Sequence, residues 1–166
     1  MSALNDICIC ISTSGIKRLW YLDMSLVTNQ PDDCTTILQQ PGLTTSAALK
    51  PLLIDETSGT YEESENLNDH GVYYGLEVQV QHNHIAADKD EALLSLAGRR
   101  LLIFFEDNNG NYRYMLNARR KQKANTESFL SGKSHYTLAL GRQSRKPAYY
   151  FTGTVTKGGD GSLTLS

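Results

Sequence analysis

The sequence predicts a mainly β protein: a β-sandwich or flattened barrel with one flanking α-helix and long loops. Three observations lead there. Val, Thr, Tyr, Leu and Ile recur in short runs separated by Gly, Asn, Asp and Ser. The stretch YYGLEVQVQHN, 73–83, places Tyr74, Leu76, Val78 and Val80 on one face and Tyr73, Glu77, Gln79 and Gln81 on the other, a strand with one dry and one wet side. Asn109-Gly110 separates two apolar runs, as a tight hairpin turn does. At 166 residues, 40% hydrophobic and 20% charged, the chain reads as a single globular domain over 1–166, long enough to enclose a core.

Along the chain, ICICI (7–11) and IKRLWYL (16–22) read as the first strands. From Met24 to Gly59 the pattern turns irregular, and Pro31, Pro41 and Pro51 would interrupt a central strand. A long loop or arm is expected at about 24–59, with a short strand around LLID. TYEESENLND (60–69) reads as an acidic strand face in water, and 73–83 follows. In DKDEALLSLAG (88–98), Asp88 suits a helix cap, Glu91 stands in the capping-box relation and Gly98 supplies a stop. Ala92, Leu93, Leu96 and Ala97 form the apolar stripe of the single expected helix.

RRLLIFFEDNNGNYRYML (99–116) is then a hairpin. A type I′ turn centred on Asn109-Gly110 sets Glu106 opposite Arg113 and Phe105 opposite Tyr114. LLIFF is apolar on both faces, so cover is expected from the core on one side and from the helix or a neighbouring subunit on the other. A long basic connection, NARRKQKANTESFLSGKS, precedes strand candidates in SHYTLALG, KPAYYFTGTV and SLTLS.

Charge is divided along the chain. From Arg99 to Lys146 eleven Lys and Arg face three acids, a net +8, while the remainder carries −10. Such asymmetry points to a polyanion or to an oppositely charged surface, including that of another copy. The basic set is Arg119, Arg120, Lys121, Lys123, Arg142, Arg145 and Lys146; the acidic candidates are Glu62, Glu63, Glu65 and Asp69. Pairing between subunits is favoured over nucleic-acid binding because the remainder of the chain is itself strongly acidic.

Other chemistries find little in the residues. Asp107–Asn111 lacks the glycine position and closing Glu of a calcium loop. His82 and His84 with Cys8, Cys10 or Cys34 have no zinc spacing, and the three cysteines read as free thiols. The Ser-Gly pairs lie in no nucleophile elbow, and no phosphate loop appears. Glu62, Glu63, Glu65 and Asp69 read as a solvated face, not a glycosidase pair. No catalytic residue, metal, cofactor, small-molecule substrate or membrane contact is therefore expected. The N-terminus lacks a cationic start and a long apolar run, so the chain reads as made in the cytosol and not exported.

GIKRLWYLD, YEESENLNDHGVYYGLEVQVQ, DKDEALLSLAG, LLIFFEDNNGNYRYML and YTLALGRQSRKPAYYFTGTV occur in an order that resembles the layout of tailed-bacteriophage structural proteins, with the tail tube family as the nearest analogue and head-tail connector and ring proteins as relatives. The resemblance covers most of the chain as an order of elements. It implies a virion protein that self-assembles into rings, commonly of six copies, around a channel for viral DNA, meeting other virion proteins through long loops such as 24–59. It implies no catalytic residues. A connector, tail terminator or capsid accessory protein touching nucleic acid through 117–146 is the alternative. The density of cations over 117–146 departs from the neutral or acidic lining expected of such channels, so this stretch is expected to face an adjacent subunit or ring. An enzyme or ligand-binding module on the same scaffold would need a convergent polar cluster that the sequence does not reveal.

Overall fold

A strand that is apolar at five successive positions needs cover on both sides, and the fold is arranged around supplying it. The computed structural model describes residues 15–31, 42–52, 59–83, 95–96, 98–128 and 133–166. In order these form β1 (Ile16–Asp23), a 3-10 turn (Met24–Leu26), β2 (Val27–Asn29), β3 (Thr44–Thr45), β4 (Lys50–Leu52), β5 (Thr60–Asn68) and β6 (Gly71–Asn83). There follow β7 (Leu101–Asp107), β8 (Tyr112–Ser128), β9 (Lys133–Ser144), β10 (Tyr149–Tyr150), β11 (Val155–Lys157) and β12 (Leu163–Leu165). The protein is mainly β, with antiparallel pairing throughout.

The main sheet runs β4-β1-β7-β8-β9-β6-β5, with β10 also on β8. Strand β8 belongs to both halves of it. Its first residues pair with β7 and β10, and from Arg119 onward it pairs with β9. Between those stretches the register with β7 slips from Ile103–Met115 to Leu101–Ala118, and Asn117 takes φ +56°. A bulge with an Asn in the left-handed region bends the strand there, because Asn tolerates that conformation better than most side chains. At the far end Ile16 N donates to Gly59 O at 3.0 Å, so the start of β5 meets the start of β1.

Alternation along β1 and β7 feeds two cores. Leu19, Leu101, Ile103 and Phe105 join Leu76, Val78 and Val80 of β6, Leu138 and Leu140 of β9 and Met115 of β8. On the opposite side Trp20, Leu22, Leu102, Phe104 and Tyr114 pack with Leu43, Leu49, Phe151, Leu163 and Leu165. Leu102, Ile103 and Phe104 are fully buried. Among the described residues the second face of LLIFF is thus covered by the β11–β12 hairpin and the 42–52 stretch of the same chain, where a helix or a neighbouring subunit was expected. Trp20 helps fix that cover, its indole N–H donating to Gly161 O at 2.9 Å.

The hairpin register also differs from expectation. Glu106 stands opposite Tyr112, Phe105 opposite Arg113 and Phe104 opposite Tyr114. Asp107 is the cause: its Oδ1 accepts from the N–H groups of both Asn109 and Asn111 at 2.9 Å, while Gly110 N donates to Asp107 O at 3.1 Å. This favours a three-residue loop in which Gly110 alone takes a positive φ, +85°.

The 117–146 stretch is not a basic loop; β8 continues through the cations to Ser128 and β9 begins at Lys133. Long strand pairing outweighs the polarity of the sequence there. The 24–59 arm is partly structured, with β2, β3 and β4 inside it and Pro51 on a terminal strand of the sheet, where its missing N–H is tolerated. The helix expected over 88–98 falls largely outside the described residues. Ser95, Leu96 and Gly98 form turns, Gly98 with φ +71°, and no α-helix occurs among the described residues. ICICI, Cys8, Cys10, Cys34 and His84 also lie outside them.

Candidate assembly edges and basic cleft

One half of the main sheet is the four-strand unit β8-β9-β6-β5. On one side it ends at β5, whose outer edge has no strand partner along Thr60–Asn68 among the described residues. On the other it ends at Arg119–Ser128, which among the described residues pairs with β9 alone because β7 stops opposite Ala118. Unpaired edges leave backbone donors and acceptors facing outward, a template for further strand pairing.

The two edges differ in charge. Glu62 and Glu65 on β5 and Asp69 just beyond it are exposed. Arg119 is exposed and Arg120 half-buried on β8, and the backbone places Lys121 and Lys123 on the same strand.

Glu63 is engaged within the chain. Its Oε1 accepts from Arg113 Nη2 at 3.2 Å and from the Tyr61 hydroxyl at 2.6 Å. Arg113 also donates to Ala148 O at 3.1 Å and lies between two rings, its guanidinium carbon 4.8 Å from the centre of Tyr61 and 4.5 Å from that of Tyr150. Tyr61 packs on Phe105 with centroids 4.9 Å apart. Burial, aided by the hydrogen bond to Glu63, drives the Tyr61 phenol well above its ordinary value. This cluster clips β5 onto β8 and β10, and the sequence missed it because the expected register gave Arg113 to Glu106. The Asx geometry of Asp107 was the available signal.

The later cations separate into different roles. Arg142 Nη1 donates to Leu116 O at 2.6 Å and its Nε to Gln143 O at 3.2 Å, so it braces the bulge next to Asn117. Arg145 and Lys146 border a cleft of about 410 Å³ together with Asn68, Tyr73, Ser144 and Tyr149. Arg145 is exposed, whereas Lys146 Nζ is buried and has no hydrogen-bond partner among the described residues. Asn68 and Tyr73, which bring the β5–β6 hairpin tip to this cleft, carried no sequence signal of their own.

Among the described residues no three His, Cys, Asp or Glu side chains gather at metal-binding distance, and no helix is long and apolar enough to cross a membrane. No protein-family model and no curated protein matches the chain.

Proposed function

We propose that the chain is a virion structural protein that assembles head to tail into rings, forming a tail tube or a related head-tail channel for genome passage. The observation that carries this is the pair of edges without a further strand partner among the described residues, acidic along β5 and basic along the second half of β8, at opposite ends of one four-strand unit. Because that unit alternates strictly antiparallel, its two edges run in opposite directions. A copy related by rotation about the strand direction then sets its β8 antiparallel to β5 of the first, and repetition closes a ring when the angle permits. Opposite charge selects this junction over β5 on β5 or β8 on β8. The sheet is read as a flattened barrel, since the Ile16–Gly59 bridge brings its ends together. With LLIFF covered by the chain's own C-terminal hairpin, assembly rests on edges and not on an uncovered apolar face. By resemblance the ring has six copies, other virion proteins bind it, and viral DNA traverses its centre.

The test is charge reversal followed by size measurement. Arg119→Glu, Arg120→Glu and Lys121→Glu together abolish multimers of the purified protein while circular dichroism keeps its β signature; adding Glu62→Lys and Glu65→Lys restores them. Multimers that persist unchanged through the first set refute the junction. Salt-sensitive duplex DNA affinity, lost in the same variant, would instead favour the connector, terminator or capsid accessory reading with nucleic-acid contact through 117–146.

A further inference from the structure

The cleft between the β5–β6 hairpin tip and the β9–β10 turn is lined by cations. Lys146 Nζ is closed off from solvent and unpartnered among the described residues, Arg145 stands at the rim, and no carboxylate is among the described residues that line the space. A buried ammonium ordinarily has an acceptor, because it loses its hydration when enclosed. Nothing in the assembly junction supplies one, since β5 and the second half of β8 bond through their outer edges.

We propose that this cleft binds a phosphomonoester. The phosphate is the group that matches the lining. Its double negative charge answers Arg145 at the rim and, once the flexible Lys146 stem turns its enclosed ammonium toward the cleft that it lines, Lys146 as well; its several oxygens can accept from more donors than a carboxylate can. Ser144 Oγ accepts from Lys146 N at 3.2 Å, which leaves the hydroxyl proton to donate outward, and the Asn68 amide lies at the same wall. The space of about 410 Å³ is larger than a phosphate needs and falls in the range of small-ligand pockets. The organic part of the ester therefore lies against Tyr73 and Tyr149. Arg142, committed to Leu116 O and Gln143 O, forms the floor and is not a ligand.

The experiment is calorimetric titration of the full chain, at fixed ionic strength, with ribose 5-phosphate, inorganic phosphate and plain ribose. Both phosphate compounds bind and ribose does not. Lys146→Met raises the dissociation constant at least about tenfold, the equivalent of one charge-assisted hydrogen bond, and Arg145→Gln raises it severalfold. Lys146→Met removes an unpaired buried charge and keeps the fold; should it fail to fold, the rim variant Arg145→Gln carries the same test. Absence of phosphate binding below about 10 mM, or equal affinity in wild type and variants, overturns the proposal. So does blunt duplex DNA without terminal phosphates displacing ribose 5-phosphate, since internal phosphodiesters would then be the ligand.

Discussion

Replacing Arg113 with Ala tests how β5 is held. The guanidinium donates to Ala148 O and to Glu63 Oε1 and lies between the Tyr61 and Tyr150 rings. A bond from a charged donor to a part-buried carbonyl contributes about 1.5–3 kcal/mol. The Glu63 pair is discounted, because that side chain is 31% exposed against 13% for Arg113; about 0.5 kcal/mol is appropriate for a partly screened pair. Two ring faces add about 0.5–1 kcal/mol each. These contributions share one group and do not sum freely, so a loss of about 3 kcal/mol is expected. For a chain of this length that lowers the melting temperature by roughly 6–12 °C. Arg113→Lys keeps the charge but loses the planar fork and the stacking, and recovers about half. Glu63→Gln costs under about 1 kcal/mol, because the amide oxygen still accepts from Tyr61. Urea unfolding of the dilute protein reads all three. A loss below about 1 kcal/mol for Arg113→Ala, or a Lys variant as stable as wild type, would refute the clip and return Glu63 to the pool of groups available to another subunit.

Three further outcomes concern the core and the sheet. Tyr114 is fully buried and its hydroxyl lacks a hydrogen-bond partner among the described residues; Tyr114→Phe should raise the urea midpoint by the equivalent of about 1 kcal/mol, and a comparable drop would mean the hydroxyl is paired. A Cβ on Gly141 would run into Leu76 O and come within 3.1 Å of Glu77 Cα, both backbone atoms of β6, so Gly141→Ala should cost about 2–3 kcal/mol in the same assay. Burial holds the Tyr61 and Tyr114 phenols above their ordinary value of 10.0. The folded form resists ionisation there, so their contribution is intact below pH 10 and is lost progressively as pH rises beyond it. Unfolding curves between about pH 8 and pH 11 should show stability falling only in the upper part of that range. Phenolate absorbance from these two rings should appear together with unfolding.

Local patterns were legible where one face is dry. Leu76, Val78 and Val80 alternate with polar residues, and β6 follows them; IKRLWYL and SLTLS mark β1 and β12 for the same reason. The double-sided burial of LLIFF could also be read from five apolar residues in succession. What supplies the second cover could not, since Leu49, Leu163 and Leu165 come from distant parts of the chain with no pattern linking them to β7. The observed hairpin register differs by one residue because Asn-Gly alone suggests a two-residue turn, whereas the Asp two positions before that Asn has a carboxylate that selects a longer loop. The extension of β8 through Arg119–Ser128 was hidden by its polarity: a strand whose partners are chosen by ladder pairing needs few apolar side chains. The cleft depends on the hairpin tip meeting the β9–β10 turn, a meeting of residues some 75 positions apart.

Strand β8 has 17 residues, so drawn straight it would measure roughly 55 Å, and it is a single beam common to both halves of the sheet. Any pull applied along Arg119–Ser128 runs along the backbone, past Asn117, into the buried ladder with β7. Force along a strand loads the flanking hydrogen bonds in shear, many at once, instead of unzipping them singly. A ring stitched through this strand would therefore pass tension from subunit to subunit by way of their interiors, and Asn117, braced by Arg142, would be the place where such a hoop flexes first.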